Sequence, residues 1–195
     1  MNSRLLLMLT IIGAAAASRV LPHPPNFTPI TAIALFGAAN FERKWLAYLA
    51  PLLAVLLSDL ALGVLTDNGL LGGWLAGGGG LHGGSWVVYS CFALVTTLGL
   101  VLRRRNGPAM LAGTTLVAST LFFAASNFLV WLGSDGQLYP PTVAGLLACY
   151  TAALPFFQNM LIGDACYVTA IFGAFALAQR AAPSMRQTED RMVAA

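Results

Sequence analysis

Two carboxylates interrupt apolar stretches of the chain: Asp59, in Ser58-Asp59-Leu60, and Asp164, directly after Gly163. Tyr89, Asn127 and Asn159 lie in similar surroundings. An ionisable group inside an apolar helix is costly, and by default it marks a site for a ligand, an ion or a proton. The chemistry these residue types offer is orientation by hydrogen bonding rather than bond making. Neither aspartate has the partner that an aspartyl dyad requires. No nucleophile is paired with a base, no phosphate loop occurs, and the two-histidine helical pattern of an intramembrane metalloprotease is missing from the sequence. The expectation is a binding protein with no catalytic residues.

Two histidines add a possible metal chemistry. His82, in Gly80-Leu81-His82-Gly83-Gly84-Ser85-Trp86, has glycines on both sides that let its imidazole reach over a pocket. A neutral imidazole is a good ligand for cobalt, zinc or iron. His23 is the second donor. Two histidines without a carboxylate cluster do not make a structural zinc site. His23 belongs to Leu21-Pro22-His23-Pro24-Pro25-Asn26-Phe27-Thr28-Pro29-Ile30, where four prolines in eight positions fix φ near −65° and delete four backbone donors. This stretch reads as a stiff extended segment, either a plain connector or a wall presenting His23, Asn26 and Thr28 to a ligand.

The elements that must position these residues are membrane helices. Of 195 residues 58% are hydrophobic and only 9% charged, and the mean hydropathy is +0.77. That leaves too little polar surface for a soluble globule. A span needs roughly 20 apolar residues, so the expected fold is an all-α bundle of six transmembrane helices in one domain, residues 1–182. A polar, disordered cytoplasmic tail follows over residues 183–195. The expected spans are Leu5–Val20, a short segment over residues 29–41, Trp45–Leu65, Trp86–Leu102, Pro108–Gly133 and Phe157–Gln179. Residues 143–154 read as a helix that lies at the interface or folds back, broken at Pro155. Leu5–Val20 also fits a cleaved signal peptide, because Arg4 precedes it and small residues close it. Read as a retained helix, its Gly13, Ala14, Ala17 and Ser18 form overlapping small-xxx-small pairs suited to docking a partner helix. Three cysteines, Cys91, Cys149 and Cys166, imply no disulfide framework.

Charge gives orientation. With both termini cytoplasmic, nine of the ten basic residues lie inside and only Arg19 outside. The net charge of +3 is spread over span ends, so nucleic acid is not an expected partner. Asp59 then stands six residues before the outer end of its span and Asp164 seven residues after the outer start of its own. At 1.5 Å rise per residue both lie roughly 10 Å below the outer surface. Tyr89, Asn127 and Asn159 fall at similar or shallower depth, while the inner halves are almost wholly apolar. The pattern describes a pocket open to the outer face and roofed by the proline segment, the glycine-rich loop and the loop holding Tyr139. Trp86, Tyr89, Tyr139 and Phe27 would add aromatic contact. The alternative is that Asp59, Asn127, Asn159 and Asp164 join helices or cap them.

Several pieces carry a resemblance: Pro22 to Ile30 with Ala34-Leu35-Phe36-Gly37, Ser58-Asp59-Leu60, Val88-Tyr89, Ser126-Asn127-Phe128, and Leu154-Pro155-Phe156-Phe157 with Gly163-Asp164. Together they resemble a family of small bacterial inner-membrane proteins. That family is similar in turn to the substrate-binding S-components of energy-coupling-factor vitamin transporters, nearest the solitary cobalamin-binding BtuM type. The resemblance implies a six-helix, multi-pass protein of the inner membrane, with cobalamin or a related corrinoid as substrate rather than as a tightly bound cofactor. It also implies an energy-coupling transmembrane subunit with its ATPases, docked at the first helix. One departure stands out. The BtuM type ligates cobalt through a cysteine before the fourth helix, where this chain has His82. Either His82 replaces the thiolate as axial ligand, or the substrate is not cobalamin.

Overall fold

The computed structural model describes residues 3–67, 85–104, 107–134 and 136–182. All regular structure among them is helical: α1 (Ser3–Ala17), α2 (Ile30–Asn40), α3 (Lys44–Asp67), α4 (Ser85–Gly99), α5 (Pro108–Leu132) and α6 (Val143–Ala181). Short 3-10 turns, Ser18–Val20 and Leu100–Arg103, extend α1 and α4. Five of these helices, all but α2, are long and apolar enough to cross a membrane. The chain is a multi-pass membrane protein. His82 and the rest of residues 68–84, Asp135 and the tail 183–195 lie outside the described residues.

The expectation of six full spans is corrected at the second. With 11 residues, α2 measures about 16 Å, half of a hydrocarbon core of roughly 30 Å. Arg19 beyond the end of α1 pairs with Asp59 near the end of α3, so α1 and α3 run parallel. The chain must therefore return between them. It does so through α2 together with the non-helical proline segment.

α2 is the centre of the bundle and packs on all five other helices. Its residues are apolar on every side, the signature of a helix with no solvent face. Ala32, Ile33, Ala34, Leu35, Phe36 and Ala38 are completely buried. Phe36 meets Phe172 and Phe175 of α6 edge to face, with centroids 5.4 and 5.2 Å away. Gly37 lets Pro51 of α3 lie directly against the helix, where a Cβ would collide with the proline ring. Its free carbonyl end is held by Arg103, which donates to the carbonyls of Ala38, Phe41 and Glu42 at 2.8, 2.7 and 3.3 Å. A cation there also complements the negative end of the helix dipole.

The second correction concerns α6. Residues 143–154 and the expected last span form one helix of 39 residues that runs through Pro155. At about 58 Å it is nearly twice the hydrocarbon thickness. The missing Pro155 donor does not end it, because α5 holds both sides of the proline. The Phe123 ring lies 5.7 Å from Tyr150 and 4.5 Å from Phe157, and Tyr150 donates to the Ala124 carbonyl at 2.6 Å. Neighbouring helices of this kind are what make proline tolerable inside membrane helices.

Candidate functional site

The parallel course of α1 and α3 brings a charged pair together inside the bundle. Arg19 Nη1 lies 2.6 Å from Asp59 Oδ1, and the same guanidinium donates to the Ser58 hydroxyl. From α4, Tyr89 Oη donates to Asp59 Oδ2 at 2.6 Å. Three elements thus share one ion pair whose side chains are only 13% and 12% exposed. In such an environment the attraction is strong and the cost of losing either partner is high.

The residue before Arg19 joins this cluster to α6. Ser18 Oγ and Tyr167 Oη are 3.0 Å apart, and the Tyr167 ring packs on Phe27 at 5.7 Å. Phe27 belongs to a tight turn in the proline segment. Its N–H donates to the Pro24 carbonyl at 3.1 Å, and Asn26 takes φ +63°. Proline followed by a residue of positive φ is the requirement of a type II turn, and asparagine is among the few side chains that accept it. The Pro25 carbonyl at the crest of the turn receives the Asn159 amide at 3.0 Å. Gly163 allows the turn to sit against α6, since a Cβ there would lie 3.1 Å from Phe27 Cα.

One residue further on, Asp164 is buried at 1% exposure. Ser119 of α5 contacts its Oδ2 at 2.6 Å, and Thr31 in the first turn of α2 lies beside the same carboxyl.

Asp59 and Tyr89 therefore meet at Arg19, while Phe27 and Asn159 meet at the proline turn beside Gly163, next to Asp164; the Ser18–Tyr167 contact links the two groups. Other candidates do not join them. Asn127 donates to the Phe123 carbonyl of its own helix at 2.8 Å, eight residues and about 12 Å along α5 from Ser119. Tyr139 sits beyond the far end of α5, in a loop closed by Trp131 Nε1 on the Pro140 carbonyl. Trp86 is 54% exposed at the start of α4. His23 turns its Nδ1 onto the Pro24 carbonyl, and Thr28 is half-buried. Asn26 is exposed and serves the turn through its backbone. His82 lies outside the described residues.

Arg19, Tyr167, Thr31 and Ser119 complete the network, and sequence reasoning passed over them as site residues; Ser18, expected at a docking face, joins it as well. Arg19 did carry a signal, as the lone basic residue at the end opposite all the others. Among the described residues no group of three or more His, Cys, Asp or Glu could hold a metal ion, and the described cysteines are unpaired.

A groove of about 510 Å³ runs between α1 and α3, lined by Gly13, Ala16 and Ala17 on one side and Ala50, Ala54 and Ala61 on the other. Of the expected docking residues, Gly13 and Ala17 line it. Ala14 is exposed outside its lining, and Ser18 is committed to Tyr167.

No curated protein and no solved structure matches the chain. The likeness to vitamin-transporter S-components accordingly rests on the sequence pieces alone. A family match does cover the helical bundle from end to end: over residues 1–185 the chain matches the family of unknown function DUF6580, and it belongs to that family.

Proposed function

We propose that this protein is a membrane-embedded binding and uptake protein for a vitamin-like small molecule. The ligand is held where the proline turn meets the Arg19–Asp59–Tyr89 network. One arrangement supports this reading: the short α2 is preceded by a non-helical proline segment that begins two residues after Arg19 of a desolvated ion pair. Bare backbone at membrane depth is tolerated where it is buried in protein or lines a cavity, and transporters bind substrate at broken helices of this kind.

Cobalamin or a related corrinoid is the leading ligand, on the motif resemblance to the S-components. His82 is then the candidate axial ligand. The count of basic residues supports two cytoplasmic termini in a bacterial inner membrane, with the ligand entering from the outer face. An energy-coupling subunit would dock along Gly13 and Ala17, where small residues permit close helix approach. Catalysis and a tightly bound cofactor have no part in this reading.

A second reading, a structural or assembly subunit, draws support from Asn127 and Asn159, whose amides are spent on protein carbonyls. Absorption spectra of the purified full-length protein with and without cobalamin, followed by a thermal-shift panel of other vitamins, separate the two. Bound corrinoid that is lost in His82→Ala supports corrinoid uptake. Binding of a different vitamin, weakened in Asp59→Asn, keeps the uptake class and changes the substrate. No ligand across the panel, together with a co-purifying membrane protein released by Gly13→Leu, overturns uptake in favour of assembly.

A further inference from the structure

Asp164 is a carboxyl without a counter-charge. The helices that enclose it, α2 and α5, contain no Asp, Glu, Lys, Arg or His. From α1, Arg4 lies over the Phe175 ring at 5.8 Å, three turns further along α6. Arg19 is committed to Asp59, and Tyr167, one turn away on α6, to Ser18. In the proline segment His23 faces the Pro24 carbonyl. Among the described residues Asp164 Oδ1 has no hydrogen-bond partner. An ionised carboxylate in such a place is far more costly than a neutral acid.

Counting protons leads the same way. The Ser119 hydroxyl contacts two oxygens, Asp164 Oδ2 at 2.6 Å and the Thr115 carbonyl at 2.9 Å, yet it owns a single proton. Beside an ionised carboxylate one of the two contacts stays empty. With the proton on Oδ2, Asp164 donates to Ser119 and Ser119 donates to Thr115, so both are filled. We propose that Asp164 is a proton-binding site, loaded in the folded bundle, whose proton sets the junction between the proline segment and α2.

The coupling follows from position. Thr31, beside this carboxyl, stands in the first turn of α2, the end at which a helix carries partial positive charge. Releasing the proton creates an anion that draws that turn toward Oδ1, and Pro29 and Phe27 move with it. This proposal goes beyond the binding reading and stands without it.

Infrared difference spectra of the full-length protein in lipid nanodiscs at neutral pH test it. Wild type minus Asp164→Asn is expected to show the carbonyl band of a protonated carboxyl, shifted in Ser119→Ala; carboxylate bands in its place overturn the assignment. Should Asp164→Asn fail to fold, the Ser119→Ala difference decides alone by the same criterion. For the coupling, a spin label at Thr28→Cys in a Cys166→Ala background is expected to change line shape as pH rises through loss of the carbonyl band. A line shape constant through that loss overturns the coupling.

Discussion

Asp59 and Asp164 present the same side chain to the same bundle, and the bundle treats them oppositely. Asp59, at 9% exposure, is met by Arg19 and Tyr89. Asp164, at 1%, is met by hydroxyl-bearing residues alone, Ser119 and Thr31. Near the end of a helix a long cationic side chain can reach a carboxylate, and charge is cancelled by charge. At the start of α2 none of the described residues brings a cation to the carboxyl, and the cost of charge is avoided altogether.

That contrast predicts its own mutational signature. Arg19→Ala leaves Asp59 uncompensated and should cost about 3–5 kcal/mol in detergent unfolding, most of it recovered in Arg19→Ala/Asp59→Asn. Asp164→Asn, the substitution of a neutral group for a neutral acid, should cost less than about 1.5 kcal/mol, within the range of a single hydrogen bond. Equal losses at the two sites would erase the distinction between them. Arg103→Ala removes three charged bonds to carbonyls around the end of α2 and is expected to cost about 2–3 kcal/mol; a smaller loss would mean that water caps that helix as well.

Close packing around the proline turn gives smaller effects. Gly163→Ala forces a Cβ to 3.1 Å from Phe27 Cα and should destabilise by about 1–3 kcal/mol. Gly13→Ala, with nothing within 4 Å of the added atom, should stay within about 0.5 kcal/mol of wild type. At the turn itself Asn26→Ala is expected to cost about 1–2 kcal/mol and Asn26→Gly much less, because only the first pays for a left-handed backbone. If both are silent, the turn does not hold the segment in place.

Much of this was legible in the residues. The apolar runs located the five long helices, and the isolated polar residues Asp59, Tyr89, Asn159 and Asp164 pointed to a common region. What neither charge nor periodicity can supply is which helices lie side by side. The expected orientation brings Arg19 and Asp59 to the same end of the bundle, but that they meet depends on α1 packing directly on α3. Ser119 was hidden because a serine in an apolar helix ordinarily bonds its own backbone, as Ser119 also does. Pro155 misled for a physical reason: the rule that proline ends a helix assumes water ready to take the freed carbonyl, whereas here α5 brackets the site with Phe123. Tyr139 was placed with the cluster on the assumption that α6 begins near Phe157; the extra helical turns before it carry that loop away.

The shortness of α2 bears on how the protein is made. A translocation channel releases segments into lipid according to their length and apolarity, and 11 residues are too few to hold a transmembrane position alone. The helix that every other one packs around is therefore the one least able to enter the bilayer by itself. During synthesis α2 is expected to settle only as the helices that pack on it arrive, and the Arg103 bonds to its carbonyl end form after α4 is made. The centre of the bundle depends for its place on helices made after it.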